Sequence, residues 1–147
     1  MSIRGDAPAA RRRLYLDTSA YLCVLLGESG GERIAAATDG AELVSSGLLV
    51  LEAKRNLVRL ARSGLLTAAQ FQTCSDRLEE DTERFLFRDL TLDICQSSLL
   101  PAILTPRSLD LVHLRTALWF HASDPIDRFV TTDPVQEQSA RELGLPI

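Results

Sequence analysis

The feature that most constrains this chain is the way its short apolar runs are spaced, each followed by helical periodicity before the next begins. The runs lie at about Arg13 to Leu16, Ala41 to Ser45, Phe85 to Leu90 and Arg128 to Asp133. Strands separated throughout by helices imply a parallel sheet, because each helix carries the chain back to the end where the next strand starts. The order β-α-α-β-α-α-β-α-α-β-α therefore predicts an α/β fold. It is a single domain with a central parallel sheet of about 4–5 strands, flanked by helices on both faces.

Glycine and proline punctuate the helices. The first is expected over Ser19 to Leu26, broken by Gly27-Glu28-Ser29-Gly30-Gly31, and the second over Glu32 to Thr38. The longest opens at Ser45-Ser46-Gly47 and runs to about Ser63-Gly64. On it Val50, Ala53, Leu57 and Ala61 form the expected buried stripe, with Glu52, Arg55, Arg59 and Arg62 on a neighbouring face. Thr67 is the expected cap of a helix reaching Glu80, with Leu66, Phe71, Cys74 and Leu78 facing inward and nothing that suggests chemistry. A helix from Leu92 to about Leu104 must break or kink at Pro101. The next starts at Thr105-Pro106 or at Ser108 and closes at His121, and the last spans Val135 to Leu143. Gly144 to Ile147 is a candidate edge strand, and residues 1–12, which lack periodicity, read as a disordered leader to a domain over 13–147.

A length of 147 residues with 46% apolar content suffices for one core. No apolar stretch approaches the roughly 20 residues of a membrane span, and the first residues lack the order of a secretory signal, so a cytoplasmic protein is expected. Cys23, Cys74 and Cys95 are odd in number and widely spaced; they predict core packing rather than disulfides or zinc. The net charge of −4 offers no broad positive surface for nucleic acid. A phosphate substrate would need local help from a cation held by acids, or from the basic residues, which are all Arg except Lys54. Arg is the better bidentate phosphate partner, although a GC-rich genome produces the same skew.

Candidate chemistry lies where apolar runs stop at acids. Leu14-Tyr15-Leu16-Asp17 turns straight into a helix, which is how an α/β sheet presents a side chain at the carboxyl ends of its strands. Asp17, Thr18 and Ser19 equally suit a helix N-cap. The run ending at Asp133-Pro134 repeats the arrangement. Glu52 either pairs with Arg55 on the helix surface or reaches a site near Asp17. Asp110 sits at a helix start, where the dipole also favours an acid. His113, one turn on, either points at whatever Asp110 binds or is a hydrogen-bonded packing residue. Asp17 and Asp133 converge only if the first and last strands are neighbours. Carboxylates brought together repel unless a cation lies between them. Oxygen donors select Mg²⁺ or Mn²⁺, an ion that activates water, neutralises phosphate and stabilises a leaving oxygen in phosphodiester hydrolysis.

In order and spacing, four motifs resemble the PIN-domain proteins, in particular the VapC toxins of bacterial toxin–antitoxin pairs. They are Leu14 to Ser19; Ser45-Ser46 with Glu52 and Arg55; Leu109-Asp110-Leu111-Val112-His113-Leu114 with Ala117; and Val130-Thr131-Thr132-Asp133. The resemblance spans about Leu14 to Leu145. It implies a PIN-like fold and a Mg²⁺-dependent endoribonuclease in which Asp17, Glu52, Asp110 and Asp133 form the acidic cluster. Asp17 and Asp110 would be the principal metal ligands, with Glu52 and Asp133 completing the site directly or through water. Thr18 and Arg55 would contact the RNA substrate. A homodimer and a cognate VapB-like antitoxin are implied as partners.

This chain departs from the family in two places. Arg115 stands where the family usually has a small residue, so it either disturbs that helix face or contacts RNA. The loop before the last strand carries Asp124 and Asp127, which makes Asp127 the substitute for Asp133 as fourth acid. Two other classes stay open. A haloacid-dehalogenase-like phosphatase also places an acid after its first strand, but Asp17-Thr18-Ser19 lacks a second Asp two residues on, and Lys54 is the sole lysine. A catalytically inactive PIN-like module would bind RNA or protein without cutting, and it would more readily have lost one of the acids.

Overall fold

Leu14, Tyr15 and Leu16 are buried along the whole of β1 (Arg13–Leu16), the strand around which the chain winds. The computed structural model describes residues 10–96 and 107–147. After β1 come α1 (Thr18–Leu25), α2 (Gly31–Thr38), β2 (Glu42–Ser46), α3 (Leu48–Arg62), α4 (Ala68–Thr82) and β3 (Phe85–Arg88). They are followed by α5 (Leu92–Gln96), α6 (Ser108–Ser123), β4 (Arg128–Val130) and α7 (Pro134–Glu142). Among the described residues the sheet has four strands, all parallel, in the order β3-β2-β1-β4.

That order contains a reversal. The chain steps outward from β1 to β2 and β3, then crosses back to lay β4 on the other side of β1. Ligand crevices of open parallel sheets form at such a point, at the carboxyl ends of the two strands that flank it. Here those strands are β1 and β4, so the acids that follow them share one edge.

Alternation along the strands fills both faces. Tyr15, Val44 and Phe129 pack with Leu114, Ala117 and Phe120 of α6 and Ala140 of α7. Leu14, Leu16, Leu43 and Val130 face the other way, toward Ala20 and Ile34. That layer continues into Tyr21, Leu49, Ala53, Leu57 and Leu78 from α1, α3 and α4. Burying a side chain such as Leu114 contributes about 1.5–3 kcal/mol. Gly31 lets α2 start against α1, since a Cβ there would stand 2.6 Å from the Cys23 carbonyl oxygen. None of the helices among the described residues is long and apolar enough to cross a membrane.

Several boundaries and packing expectations need correction. The third strand stops at Arg88 rather than Leu90, and α1 begins at Thr18 rather than Ser19. The C-terminal residues form no strand; Pro146 accepts the Phe129 N–H through its carbonyl (2.7 Å) but has no N–H with which to extend a ladder. The buried face of α3 is Leu48, Leu49, Ala53 and Leu57, with Val50 and Ala61 only half-buried, because α3 packs between α1 and α4. Cys23 is buried as expected, whereas Cys74 is partly exposed and Cys95 exposed. Thr67 caps α4 in a reciprocal box with Gln70. The leader as far as residue 9, the expected helix beyond Gln96 with its kink at Pro101, and a helix start at Thr105-Pro106 lie outside the described residues.

Candidate active site

At the reversal, Asp17 and Asp133 lie in the connections that follow the neighbouring strands β1 and β4. Asp17 is the N-cap of α1: its Oδ1 accepts the Ala20 N–H (3.0 Å) and the Ser19 hydroxyl (2.7 Å), while its own N–H reaches the Val130 carbonyl. Ser19 ties the two connections together. Its Oγ lies 3.1 Å from Thr131 Oγ1 and accepts the Thr132 N–H at 3.0 Å. The Asp133 N–H donates to Thr131 Oγ1 (3.1 Å), and Asp133 Oδ1 caps α7 by accepting the Val135 N–H (2.9 Å), with Pro134 in the first turn. Capping and chemistry are thus compatible at both acids, since each of these caps uses Oδ1.

A second group joins β1, α1, α3 and α6. The Thr18 hydroxyl donates to Glu52 Oε1 (2.7 Å). His113 Nε2 lies 3.0 Å from the same oxygen and 2.9 Å from Thr18 Oγ1, and Nδ1 lies 2.8 Å from the Tyr15 hydroxyl. His113 is therefore a hydrogen-bonded core histidine with both ring nitrogens occupied. Glu52 is thus tied to Thr18, the residue after Asp17, rather than to Arg55, which is exposed and forms no ion pair among the described residues.

Electrostatics separate the two carboxylates. Burial pushes the Asp17 carboxyl above its ordinary range, against His113 and the hydrogen bonds of Thr131, Ser19 and the Ala20 N–H. Burial pushes Glu52 up as well, but hydrogen bonds from His113 and Thr18, with the nearby Arg55 guanidinium, outweigh it and hold Glu52 below its ordinary range. No Arg or Lys forms an ion pair with Asp17, Glu52 or Asp133 among the described residues.

Asp110 lies in the first turn of α6 and is partly buried. Its carbonyl accepts the side-chain N–H of Gln136 (2.9 Å), which ties the start of α6 to α7. Asp127 is not part of this edge: its Oδ2 accepts the Arg13 N–H (2.6 Å) and its N–H donates to the Arg13 carbonyl, at the amino end of β1. The acid that precedes β4 closes the opposite end of the sheet, so it is no substitute for Asp133. Arg115 is likewise occupied, donating to the carbonyls of Ile94 and Cys95 and so packing α6 on α5.

Carboxylates and hydroxyls give a donor set of hard oxygens that suits Mg²⁺ or Mn²⁺, and the occupied His113 ring offers no competing nitrogen. Among the described residues no three His, Cys, Asp or Glu side chains gather closely enough to hold an ion. The donor chemistry fits, and binding would require the carboxylates to draw together. No protein-family model matches the chain. No curated protein matches it either.

Two polar groups carried no functional signal in the sequence. Tyr15 reads as one more apolar strand residue. Asp81, on a helix that suggests no chemistry, is buried and accepts the Tyr21 hydroxyl (2.9 Å), with Arg77 at 3.5 Å and Arg84 at 3.6 Å. It lines a cavity of about 300 Å³ between α1, α2 and α4. The flanking arginines stand at ordinary helix ion-pair spacing, so only Tyr21, 60 positions away, distinguishes this acid.

Proposed function

We propose that the chain is a metal-dependent endoribonuclease of PIN type, the toxin of a VapBC-like pair, which hydrolyses RNA phosphodiester bonds. The observation that carries this reading is Asp17: a carboxylate only 4% exposed, at the reversal of a parallel sheet, with no Arg or Lys paired to it among the described residues. A buried charge without a counter-charge is costly, and a bound cation offsets that cost. Asp17 and Asp110 would hold Mg²⁺ or Mn²⁺, with Glu52 and Asp133 completing the set. When bound, the ion would activate water and neutralise charge on the phosphate. Glu52, kept ionised by Thr18 and His113, maintains negative charge at the edge. Arg55, exposed one turn along α3, is the side chain available to an RNA phosphate. The resemblance extends the reading to a homodimer and to a VapB-like antitoxin covering the edge, in the cytoplasm.

A second reading, a PIN-like module that binds RNA or protein without cutting, is favoured by the absence of a gathered group of three acids among the described residues. Purified protein incubated with a mixed RNA pool, with Mg²⁺ or with EDTA, decides between them. The nuclease reading predicts Mg²⁺-dependent cleavage that Asp17→Asn and Asp110→Asn each reduce by about 100-fold or more. Equal cleavage by wild type and both variants, or none by any of them, favours the binding module.

A further inference from the structure

Tyr15 and His113 are buried polar groups that the acids alone do not account for, and their protons can be placed by elimination. Glu52 Oε1 only accepts while the carboxylate is ionised, and the Thr18 hydroxyl already donates to it at 2.7 Å. His113 Nε2 faces that oxygen at 3.0 Å and the Thr18 oxygen at 2.9 Å. An unprotonated Nε2 would meet only lone pairs there, so Nε2 carries the hydrogen. In a neutral ring Nδ1 is then an acceptor, and the Tyr15 hydroxyl at 2.8 Å donates to it.

The geometry points to His113 as a positioning residue of this edge: Tyr15 fixes its Nε2–H tautomer, and the ring in turn fixes the Glu52 carboxylate beside Thr18. The inference rests on reading this edge as the reaction site. His113 acts through Glu52 and touches neither substrate nor cation, because both its nitrogens are used within the protein. Four elements meet at the ring, so one hydroxyl in β1 sets the orientation of an acid on α3 through a side chain on α6. Partners that hold a ligating side chain commonly govern metal affinity without ligating themselves.

The tautomer is read directly by long-range ¹H–¹⁵N NMR of the metal-free protein at pH 7.5. The expected result is a protonated Nε2 with an unprotonated Nδ1; a hydrogen on Nδ1, alone or in a doubly protonated ring, overturns the proposal. Mn²⁺ calorimetry and RNA cleavage are then compared for His113→Gln, which keeps an N–H donor near the position of Nε2, and His113→Leu, which keeps only volume. His113→Leu is expected to weaken Mn²⁺ binding about tenfold and to slow cleavage, while His113→Gln stays within about threefold of wild type. Wild-type Mn²⁺ affinity in His113→Leu, or no rescue by His113→Gln, overturns the positioning role. Loss of Mn²⁺ binding and cleavage in Asp17→Asn alongside a wild-type-like His113→Leu removes only that role. Retention of both in Asp17→Asn, or no Mn²⁺ binding by wild type, removes the reading of the edge and the His113 role with it.

Discussion

Asp17 and Asp81 are both buried carboxylates, 4% and 9% exposed, and both accept a hydroxyl hydrogen bond, from Ser19 and from Tyr21. They differ in what answers the charge. Asp81 lies within 3.6 Å of both Arg77 and Arg84 and ties the end of α4 to α1, so its charge is compensated inside the protein. Asp17 has hydroxyls, a backbone N–H and the nearby His113, but no Arg or Lys ion pair among the described residues. A buried acid that brings its own guanidinium is a structural tie. One at a strand-order reversal without a guanidinium is where, on the proposed reading, a cation would bind.

The largest effect expected from this difference is on chemistry. Asp17→Asn keeps the cap of α1, because Asn caps as well as Asp. The protein therefore stays folded by circular dichroism while Mg²⁺-dependent cleavage falls by about 100-fold or more. Asp81→Ala should do the reverse. It leaves the Tyr21 hydroxyl without its acceptor and costs about 1–3 kcal/mol in urea unfolding. Cleavage per folded molecule should be unchanged, and a loss matching that of Asp17→Asn would mean that Asp81 is not merely a structural tie.

A smaller effect separates Asp17 from Glu52 by pH in metal-free buffer. Burial raises the folded pKa of Asp17, so its carboxylate lowers stability above that pKa, and the penalty vanishes below the unfolded value near 3.9. Asp17→Asn should thus melt higher than wild type at pH 7.5, with the gap closing toward about pH 4. The folded pKa of Glu52 is lowered instead, so its contribution is present above the unfolded value near 4.3 and is lost as pH falls through the folded one. Glu52→Gln should melt lower than wild type at pH 7.5 and converge with it in acid. The same sign of shift for both variants would contradict the contrast between these sites.

Much of this arrangement is legible in the sequence, and the rest is not, for physical reasons. The element order is readable because apolar runs and helical stripes have different periods, so the repeated β-α-α pattern survives without any tertiary knowledge. The ends of α1 and β3 are less readable, since packing decides where a frayed turn or strand stops. The adjacency of β1 and β4 depends on where the chain crosses back, which no local residue states. The exclusion of Asp127 has a local signal, because it precedes the strand whose far end carries Asp133. Glu52 meets a histidine 61 positions away, and that histidine meets a tyrosine 98 positions away. No spacing rule links three residues on α3, α6 and β1. Tyr15 in particular sits where an apolar side chain would satisfy the strand pattern equally well.

The most direct test of the central claim, that the edge at the reversal attracts a cation and the Asp81 cluster does not, is Mn²⁺ titration of ¹⁵N-labelled protein followed by amide line broadening. The amides of Thr18, Ala20, Thr132 and Asp133 should broaden first, and Asp17→Asn should abolish the effect. Broadening centred on Asp81 and the neighbouring surface acids Asp76, Glu79, Glu80 and Glu83, or broadening that Asp17→Asn leaves unchanged, would contradict it.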